Sequence, residues 1–152
     1  MNCLLRHRYM GILRAEWRVH ISAIDEHDLV EQSLEWLCGI EGTVDWSKQK
    51  SFHGPSLETG IVKIERRKLA VDSLRRLGST IHQKLLDDGL EKRLDEHKNL
   101  HVRISLSKLV RGELELSDDR VRETVVKGTF KIEAYPGQNH LDIATELIRS
   151  MT

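Results

Sequence analysis

The chain has 152 residues, of which 39% are hydrophobic and 32% are charged. This length supports one domain with its own hydrophobic core, and the apolar content excludes an intrinsically disordered chain. The 24 basic and 24 acidic residues cancel, which excludes a strongly basic protein that coats nucleic acid indiscriminately.

Cysteine content and hydropathy indicate the environment of the chain. Its two cysteines are too few for a disulfide framework, so we expect a reducing, cytoplasmic compartment. No apolar run approaches the ~20 residues needed to cross a bilayer, so no membrane partner is expected. We predict a single domain over residues 1–152, with residues 1–14 as a flexible N-terminal extension.

Two hydrophobic spacings succeed each other along the chain. A period of two is typical of half-buried strands, and a period of three to four is typical of helices. In chain order they predict a strand over 15–24, a helix over 24–39, strands over 42–52 and around 62–64, a helix over about 66–86, a short helix or turn over 87–99, strands over 99–108, 112–117 and 120–135, and a last helix that begins after Asn139.

Single residues refine these elements. Asp25 and Asn139 are predicted to cap the helices that follow them. Gly78 lies inside the long helix, at a cost of about 1 kcal/mol relative to alanine. Gly128 interrupts the last strand pattern, as a β-bulge would.

Aromatic residues that could stack on bases are scarce: three tryptophans, two tyrosines and two phenylalanines. Trp17 and Trp36 follow the spacing of core positions, and Trp46 is expected in the core as well. If the chain binds a nucleic acid, recognition of its shape and backbone is therefore favoured over the reading of single-stranded sequence.

The predicted strands follow one another too closely for the helical crossovers of a parallel sheet. We therefore predict an α+β fold, a two-layer sandwich with a mostly antiparallel sheet and helices on one face. The other face is then polar. Its expected cations are Arg18, His20, His101, Arg103, Lys127 and Lys131. Glu113, Glu115 and Glu133 could share this face, so its net sign stays open.

Charge is segregated along the neutral chain. Residues 25–45 carry seven acids and no lysine or arginine, whereas residues 48–84 carry nine basic residues against three acids. Residues 98–111 add four basic residues and no acid. The basic segments are the candidate contact regions for a polyanion.

Helical geometry arranges part of this charge. With its apolar stripe inward, the long predicted helix projects Lys68, Arg75 and His82 outward in one row. A row of cations suits a phosphate backbone, because each contact releases condensed counterions. The alternative is a solvated helix face that only keeps the domain soluble, which is the commoner role of such charge.

Catalytic and metal-binding patterns do not emerge. His97 and His101 are four residues apart, but a strand is predicted to begin between them, which would separate their rings. The paired aspartates lie at predicted turns, where aspartate bonds its own backbone. A histidine-based hydrolase would require His53, His97 and His101 to converge. We expect no enzyme, no metal and no cofactor.

Four segments carry a family resemblance: RVHISAIDEHDLVEQSLEWL, SFHG, IERRKLAVDSLRRLGSTIHQKLL and NLHVRISLSKLVRGELEL. Their order over residues 15–135 resembles a small archaeal RNA-binding domain family described as a predicted accessory of the RNA-degrading exosome. The resemblance implies a fold similar to the ribosomal protein that binds 5S RNA, and loosely to double-stranded-RNA-binding domains.

These observations favour a non-catalytic domain that grips structured or double-stranded RNA by its backbone. The candidate contacts are Lys50, His53, Arg66, Arg67, Lys68, Arg75, Arg76, Arg103, Lys108 and Arg111. The alternative is a protein-interaction adaptor or homodimer that pairs the acidic 25–45 segment with the basic 48–84 segment, or that joins an RNA-processing complex.

Overall fold

The structure, a computed structural model, describes residues 11–22, 26–39, 44–49, 56–118 and 120–152. Within these ranges the strands are β1 (Ile12–Ser22), β2 (Val44–Gln49), β3 (Leu57–Ile64), β4 (Asn99–Ser105) and β5 (Val125–Ile132). The helices are α1 (His27–Cys38), α2 (Arg67–Arg75), α3 (Ser79–Asp88), α4 (Leu106–Leu109) and α5 (His140–Met151). None of the described helices is long and apolar enough to cross a membrane.

The strands form one antiparallel sheet in the order β2-β3-β1-β5-β4. Side chains alternate across β1, so that Trp17, Val19 and Ile21 are buried while Arg18 and His20 are exposed. The buried face packs against the helices, which places the core between the two layers. This arrangement confirms the predicted α+β fold with helices on one face of an antiparallel sheet.

The centre of the sheet is built around a tryptophan and a glycine. Trp17 of β1 is fully buried, pairs with Gly128 of β5 and meets the Phe130 ring edge-on at 5.6 Å. A Cβ at position 128 would lie 2.6 Å from the Trp17 ring, so only glycine leaves room for the indole. The predicted bulge at Gly128 is wrong, because the irregularity in this pairing lies between Ile12 and Arg14.

The long helix predicted over residues 66–86 is wrong, because the structure has two shorter helices there. α2 ends at Arg75, α3 begins at Ser79, and Gly78 between them has a φ of +90°. This backbone conformation is open to glycine and strained for other residues. Gly78 therefore ends one helix and redirects the chain into the next.

The region after β4 also differs from expectation. The strand predicted over 99–108 ends at Ser105 and is followed by α4. The strand predicted over 112–117, all described residues, is an irregular segment that bridges Leu116 to Ile104. Asn139 caps α5, as predicted, by accepting hydrogen bonds from the backbone N–H groups of Leu141 and Asp142. The cap position of α1 is Glu26, whereas Asp25 lies outside the described residues.

Candidate nucleic-acid interface

Four of the candidate contact residues lie on α2 and at its start. Arg66, Arg67, Lys68 and Arg75 are exposed there. The Arg67 guanidinium lies 2.7 Å from the Glu133 carboxylate, and the Arg75 guanidinium lies 3.2 Å from that of Asp72. The charges of Arg67 and Arg75 are therefore partly neutralised by acids of the same chain.

Arg76, another candidate contact, is engaged in contacts within the helix layer. Its Nη1 donates to the Leu37 carbonyl at 3.1 Å, and its guanidinium carbon lies 5.8 Å from the centre of the Trp36 ring. Arg76 thus connects α2 to the C-terminal end of α1, where backbone carbonyls lack helical partners. The core position predicted for Trp36 is wrong, because the side chain is 47% exposed and stacks on this arginine instead.

His82 does not extend the cationic row. The break at Gly78 turns its side chain inward, so that it is 1% exposed and its Nε2 lies 2.7 Å from the Leu74 carbonyl. Burial lowers the pKa of His82, and the nearby Arg75 charge acts in the same direction, whereas the bond to Leu74 opposes them. The predicted row of Lys68, Arg75 and His82 is therefore wrong, because it required one continuous helix.

The other candidate contacts are dispersed. Arg103 projects from β4 on the face of the sheet opposite the helices. Lys108 of α4 lies 3.9 Å from Glu113 and 3.8 Å from Glu115. Arg111 is exposed and donates from Nε to a backbone carbonyl of α4. Lys50 and His53 lie outside the described residues.

The face of the sheet opposite the helices, hereafter the open face, gathers most of its charge from four strands. Its members in the described strands include Arg14, Glu16, Arg18 and His20 of β1, Lys63 of β3, Lys127, Thr129 and Lys131 of β5, and His101 and Arg103 of β4. Arg103, Lys127 and Arg18 are direct neighbours on adjacent strands. With strands about 4.8 Å apart, this row of three cations spans about 10 Å.

From the sequence alone the net charge of this face stayed open, because three acids could have belonged to it. Each of the three is paired with a cation at another position. Glu133 lies against Arg67 in the helix layer, and Glu113 and Glu115 lie against Lys108 beyond β4. Glu16 does belong to the open face, 3.3 Å from Arg18. Asp45 of β2 lies on the same face, and Glu65 lines its margin beside Lys63. Six lysines and arginines of the described strands therefore face these acids, and the open face is net positive.

Shallow grooves run across the open face. One of about 300 Å³ lies between Arg18, Arg103 and Lys127. A second of about 270 Å³ shares Glu16 and Thr129 with it. A third of about 460 Å³ shares His101 and Arg103 with the first and continues past the β4 edge. The cations thus line neighbouring shallow grooves that share residues and do not stand as isolated surface charges.

The family comparison points to the same class of ligand. A family model described as "RNA binding" matches residues 14–132, which include the described strands apart from the first two residues of β1. The chain belongs to this RNA-binding family. No curated protein matches the chain.

Solved structures show the same fold as this RNA-binding family member. Mth689, a DUF54 protein from Methanothermobacter thermautotrophicus, is 20% identical with a TM-score of 0.73, covering 93% of this chain and 98% of its own. Protein AF2318 from Archaeglobus fulgidus, also DUF54, is 21% identical with a TM-score of 0.69, covering 90% and 98%. A UPF0201 protein from Methanococcus jannaschii is 13% identical with a TM-score of 0.54, covering 90% and 92%.

The sequence analysis did not select most of the open face as candidate contacts. Arg18, Lys127 and Lys131 were expected to project outward, but Arg14 and Lys63 carried no such signal. Arg14 lies before the first strand as predicted from residue 15, whereas the strand itself begins at Ile12. Alternation identifies a face only once the strand bounds and the strand order are known.

His101 is held on the open face by an acid. Its Nε2 lies 2.7 Å from Asp95, whose other oxygen accepts from the backbone N–H groups of His97 and Asn99 at 2.9 Å each. Burial of this carboxyl alone would raise its pKa. The bonds from Asn99, His101 and His97 outweigh burial and lower the pKa of Asp95 to about 2. The carboxylate therefore orders the turn before β4 and orients His101.

The histidines of the described region form no hydrolase-like cluster. His97 is exposed and lies 3.6 Å from Glu96, while the His101 ring is engaged with Asp95. His53 lies outside the described residues. A histidine-based hydrolase requires these three histidines to converge. The positions of His97 and His101 do not support such a site.

One group of metal-type ligands occurs among the described residues. Ligand atoms of His27, Asp28 and Glu31 lie within 4.8 Å of one another at the start of α1. The Glu31 carboxylate accepts from Trp46 Nε1 at 3.0 Å, and the His27 ring stacks on the half-buried Trp46 at 4.0 Å. The positive end of the helix dipole disfavours a cation there. These contacts give the cluster a packing role.

Proposed function

We propose that the chain is a non-catalytic RNA-binding domain whose open face binds the phosphate backbone of structured or double-stranded RNA, as an accessory of RNA processing or degradation. The observation that carries this proposal is the juxtaposition of Arg103, Lys127 and Arg18 on adjacent strands, around one shallow groove. Membership of the RNA-binding family supports the class of ligand.

The chemistry of the open face supports backbone contact. Its described side chains are mostly arginine, lysine, histidine, serine, threonine and acid residues, with Leu57, Ile61 and Val125 as apolar members, and in the described strands phenylalanine and tryptophan lie on the opposite, covered face. Base stacking needs aromatic or planar platforms, whereas phosphate binding needs clustered cations. Arginine also binds phosphate oxygens in a bidentate manner. Structured RNA, which presents phosphates and 2′-hydroxyls at its surface, matches this face better than single strands do.

The helix-layer cations are a second set of proposed contacts. Arg66, Lys68 and Arg75 are exposed, but they project from α2, on the other side of the sheet from Arg103. The two sets therefore do not form one continuous surface. We assign the primary contact to the open face and a secondary, weaker contact to the helix layer.

Two matched triple variants separate these surfaces. The first replaces Arg18, Arg103 and Lys127 with glutamine, and the second replaces Arg66, Lys68 and Arg75 with glutamine. Each removes three positive charges, so the general electrostatic attraction falls equally. Both would be titrated against an RNA duplex at several salt concentrations.

We expect the first variant to lose most of its affinity and to lower the slope of log affinity against log salt by about 2 to 3. The second variant should keep an affinity and a slope close to those of the wild type. Equal losses in both variants would show that the open face is not the primary surface. Absence of duplex binding by the wild type at low salt would overturn the proposed function itself.

A further inference from the structure

A second surface, on the helix layer, is apolar. Leu29 and Trp36 are 41% and 47% exposed and lie seven residues apart on one stripe of α1. A segment from α4 onward faces this stripe and leaves a groove of about 310 Å³. The groove is lined by Leu29, Gln32, Ser33 and Trp36 on one side and by Leu109, Val110, Gly112 and Leu114 on the other. Two of the large exposed hydrophobic side chains of the described region thus share one groove.

Trp36 is held in place before any partner binds. Its ring stacks on Arg76, whose Nη1 is bonded to the Leu37 carbonyl at 3.1 Å. Gly39 follows the last residue of α1 with a φ of +76°, and a Cβ there would lie 3.0 Å from the Arg76 guanidinium. Glycine therefore leaves space for the arginine that supports the indole. A fixed, half-exposed tryptophan loses little conformational entropy on binding, which is typical of interface hot spots.

The surroundings of the groove are acidic. α1 and its cap residue carry no lysine or arginine, and their acids are Glu26, Asp28, Glu31 and Glu35. On the opposite wall Lys108 is paired with Glu113 and Glu115, and Arg111 adds one exposed cation. The half-buried Arg76 lies against Trp36 at one end of the groove, so the four acids of α1 and its cap face two cations near the groove besides Lys108. The negative charge of α1 repels phosphate, so this groove is not suited to RNA.

We propose that the groove between α1 and residues 109–114 binds a basic amphipathic helix of a partner protein. Apolar side chains of that helix, spaced as i, i+3 or i+4 and i+7, would contact Leu29 and Trp36. Its lysines and arginines would lie against Asp28 and Glu35 on the flank of α1. Charge complementarity of this kind directs the encounter and fixes the orientation of the bound helix.

A second copy of the chain is a poorer occupant. The apolar stripes of α2, α3 and α5 are already buried in the core, and their exposed residues are polar. The large exposed hydrophobic residues outside the groove in the described region are Leu57, Val121 and Tyr135, none of which lies on a helix. The described helices therefore offer no basic amphipathic face that matches the groove.

The proposal does not depend on RNA binding, because α1 lies in the helix layer and the proposed primary RNA contacts lie on the open face. The probe is a labelled synthetic helix of about 14 leucine and lysine residues, two heptads long. Its matched control is a helix of the same length made of leucine and glutamate. Binding to the full chain would be followed by fluorescence anisotropy.

We expect saturable one-to-one binding of the leucine–lysine helix and no binding of the leucine–glutamate helix. Trp36→Ala should weaken binding by about thirtyfold, as a hot-spot loss of ~2 kcal/mol does. Tyr135→Ala, which removes another half-exposed aromatic ring, should leave the affinity unchanged. The double variant Asp28→Lys with Glu35→Lys should weaken binding and reverse its salt dependence without touching the apolar lining.

Several results would overturn the proposal. Equal affinities for Trp36→Ala and Tyr135→Ala would show that the peptide binds elsewhere. If Trp36→Ala does not fold, an unchanged affinity in the charge-reversed variant leads to the same conclusion. Concentration-dependent self-association of the wild type that Trp36→Ala abolishes would identify a second copy as the occupant. Duplex RNA affinity should be the same in Trp36→Ala and wild type, which keeps this outcome separate from the proposed function.

Discussion

Replacement of Ser73 by alanine tests how the two layers are joined. The Ser73 hydroxyl is fully buried, accepts from Trp17 Nε1 at 2.8 Å and donates to the Leu37 carbonyl at 2.6 Å. It therefore links the central strand β1 to α2 and to the C-terminal end of α1. In the variant, Leu37 keeps its bond from Arg76 at 3.1 Å, but the buried Trp17 N–H loses its acceptor.

The expected loss in the free energy of unfolding follows from the one buried Trp17 N–H that is left without an acceptor. A buried donor without a partner costs about 1–3 kcal/mol. Alanine recovers a few tenths of a kcal/mol because it is the better helix former. The net loss in the free energy of unfolding is about 2 kcal/mol, which lowers the melting temperature by about 4–8 °C for a chain of this size.

Thermal and urea denaturation measure this effect, with Ser150→Ala as the matched control. Ser150 donates only to the Leu147 carbonyl within α5, and its side chain is exposed, so its loss should change stability by less than about 0.5 kcal/mol. In a Trp17→Phe background, where the donor is gone, Ser73→Ala should cost less than in the wild type. Equal effects of Ser73→Ala and Ser150→Ala would refute the reasoning.

Three further predictions concern packing and protonation. Gly128→Ala places a Cβ 2.6 Å from the Trp17 ring and should cost about 1–3 kcal/mol by overpacking, so an unchanged urea midpoint would contradict this contact. Burial lowers the pKa of His82 from 6.5, so stability should be complete above that pH and fall as the pH drops below it. His82→Gln should flatten this fall of stability below pH 6.5. The pKa of Asp95 is lowered from 3.8 to about 2, so the Asp95 carboxylate stabilises the fold above pH 3.8, and this stabilisation is lost as the pH falls towards 2. Circular dichroism during acid titration measures this loss. If the acid transition of Asp95→Asn is identical to that of the wild type, the carboxylate does not stabilise the fold in this way.

The fold class could be predicted because it depends on local spacing. Alternation through Trp17, Val19 and Ile21 identified the central strand, and the Asn139 side chain identified the start of the last helix. These signals need no knowledge of distant residues, since period and cap chemistry act within a few positions along the chain. The strand bounds were less certain, and the strand predicted over 112–117 formed only one bridge to β4.

The candidate site was harder to predict because it combines residues from several strands. Arg103 was selected, whereas Lys127 and Arg18 became its neighbours only through the order β1-β5-β4. The helix row was lost for a local reason: Gly78 adopts a positive φ, and the backbone turn buries His82. A periodicity argument treats a glycine within a helix as a small penalty and does not register a change of direction.

The sequence by itself determined the periods of the elements, the polar character of one sheet face and the segregation of acids in residues 25–45 from cations further along. Only the tertiary structure decided which charges share a surface. Antiparallel pairing brings Arg18, Lys127 and Arg103 side by side although they are far apart along the chain. The same folding places Glu133 against Arg67, away from that surface. The physical reason is that charge neighbours are set by strand order and register, which depend on how the whole core packs and not on local spacing.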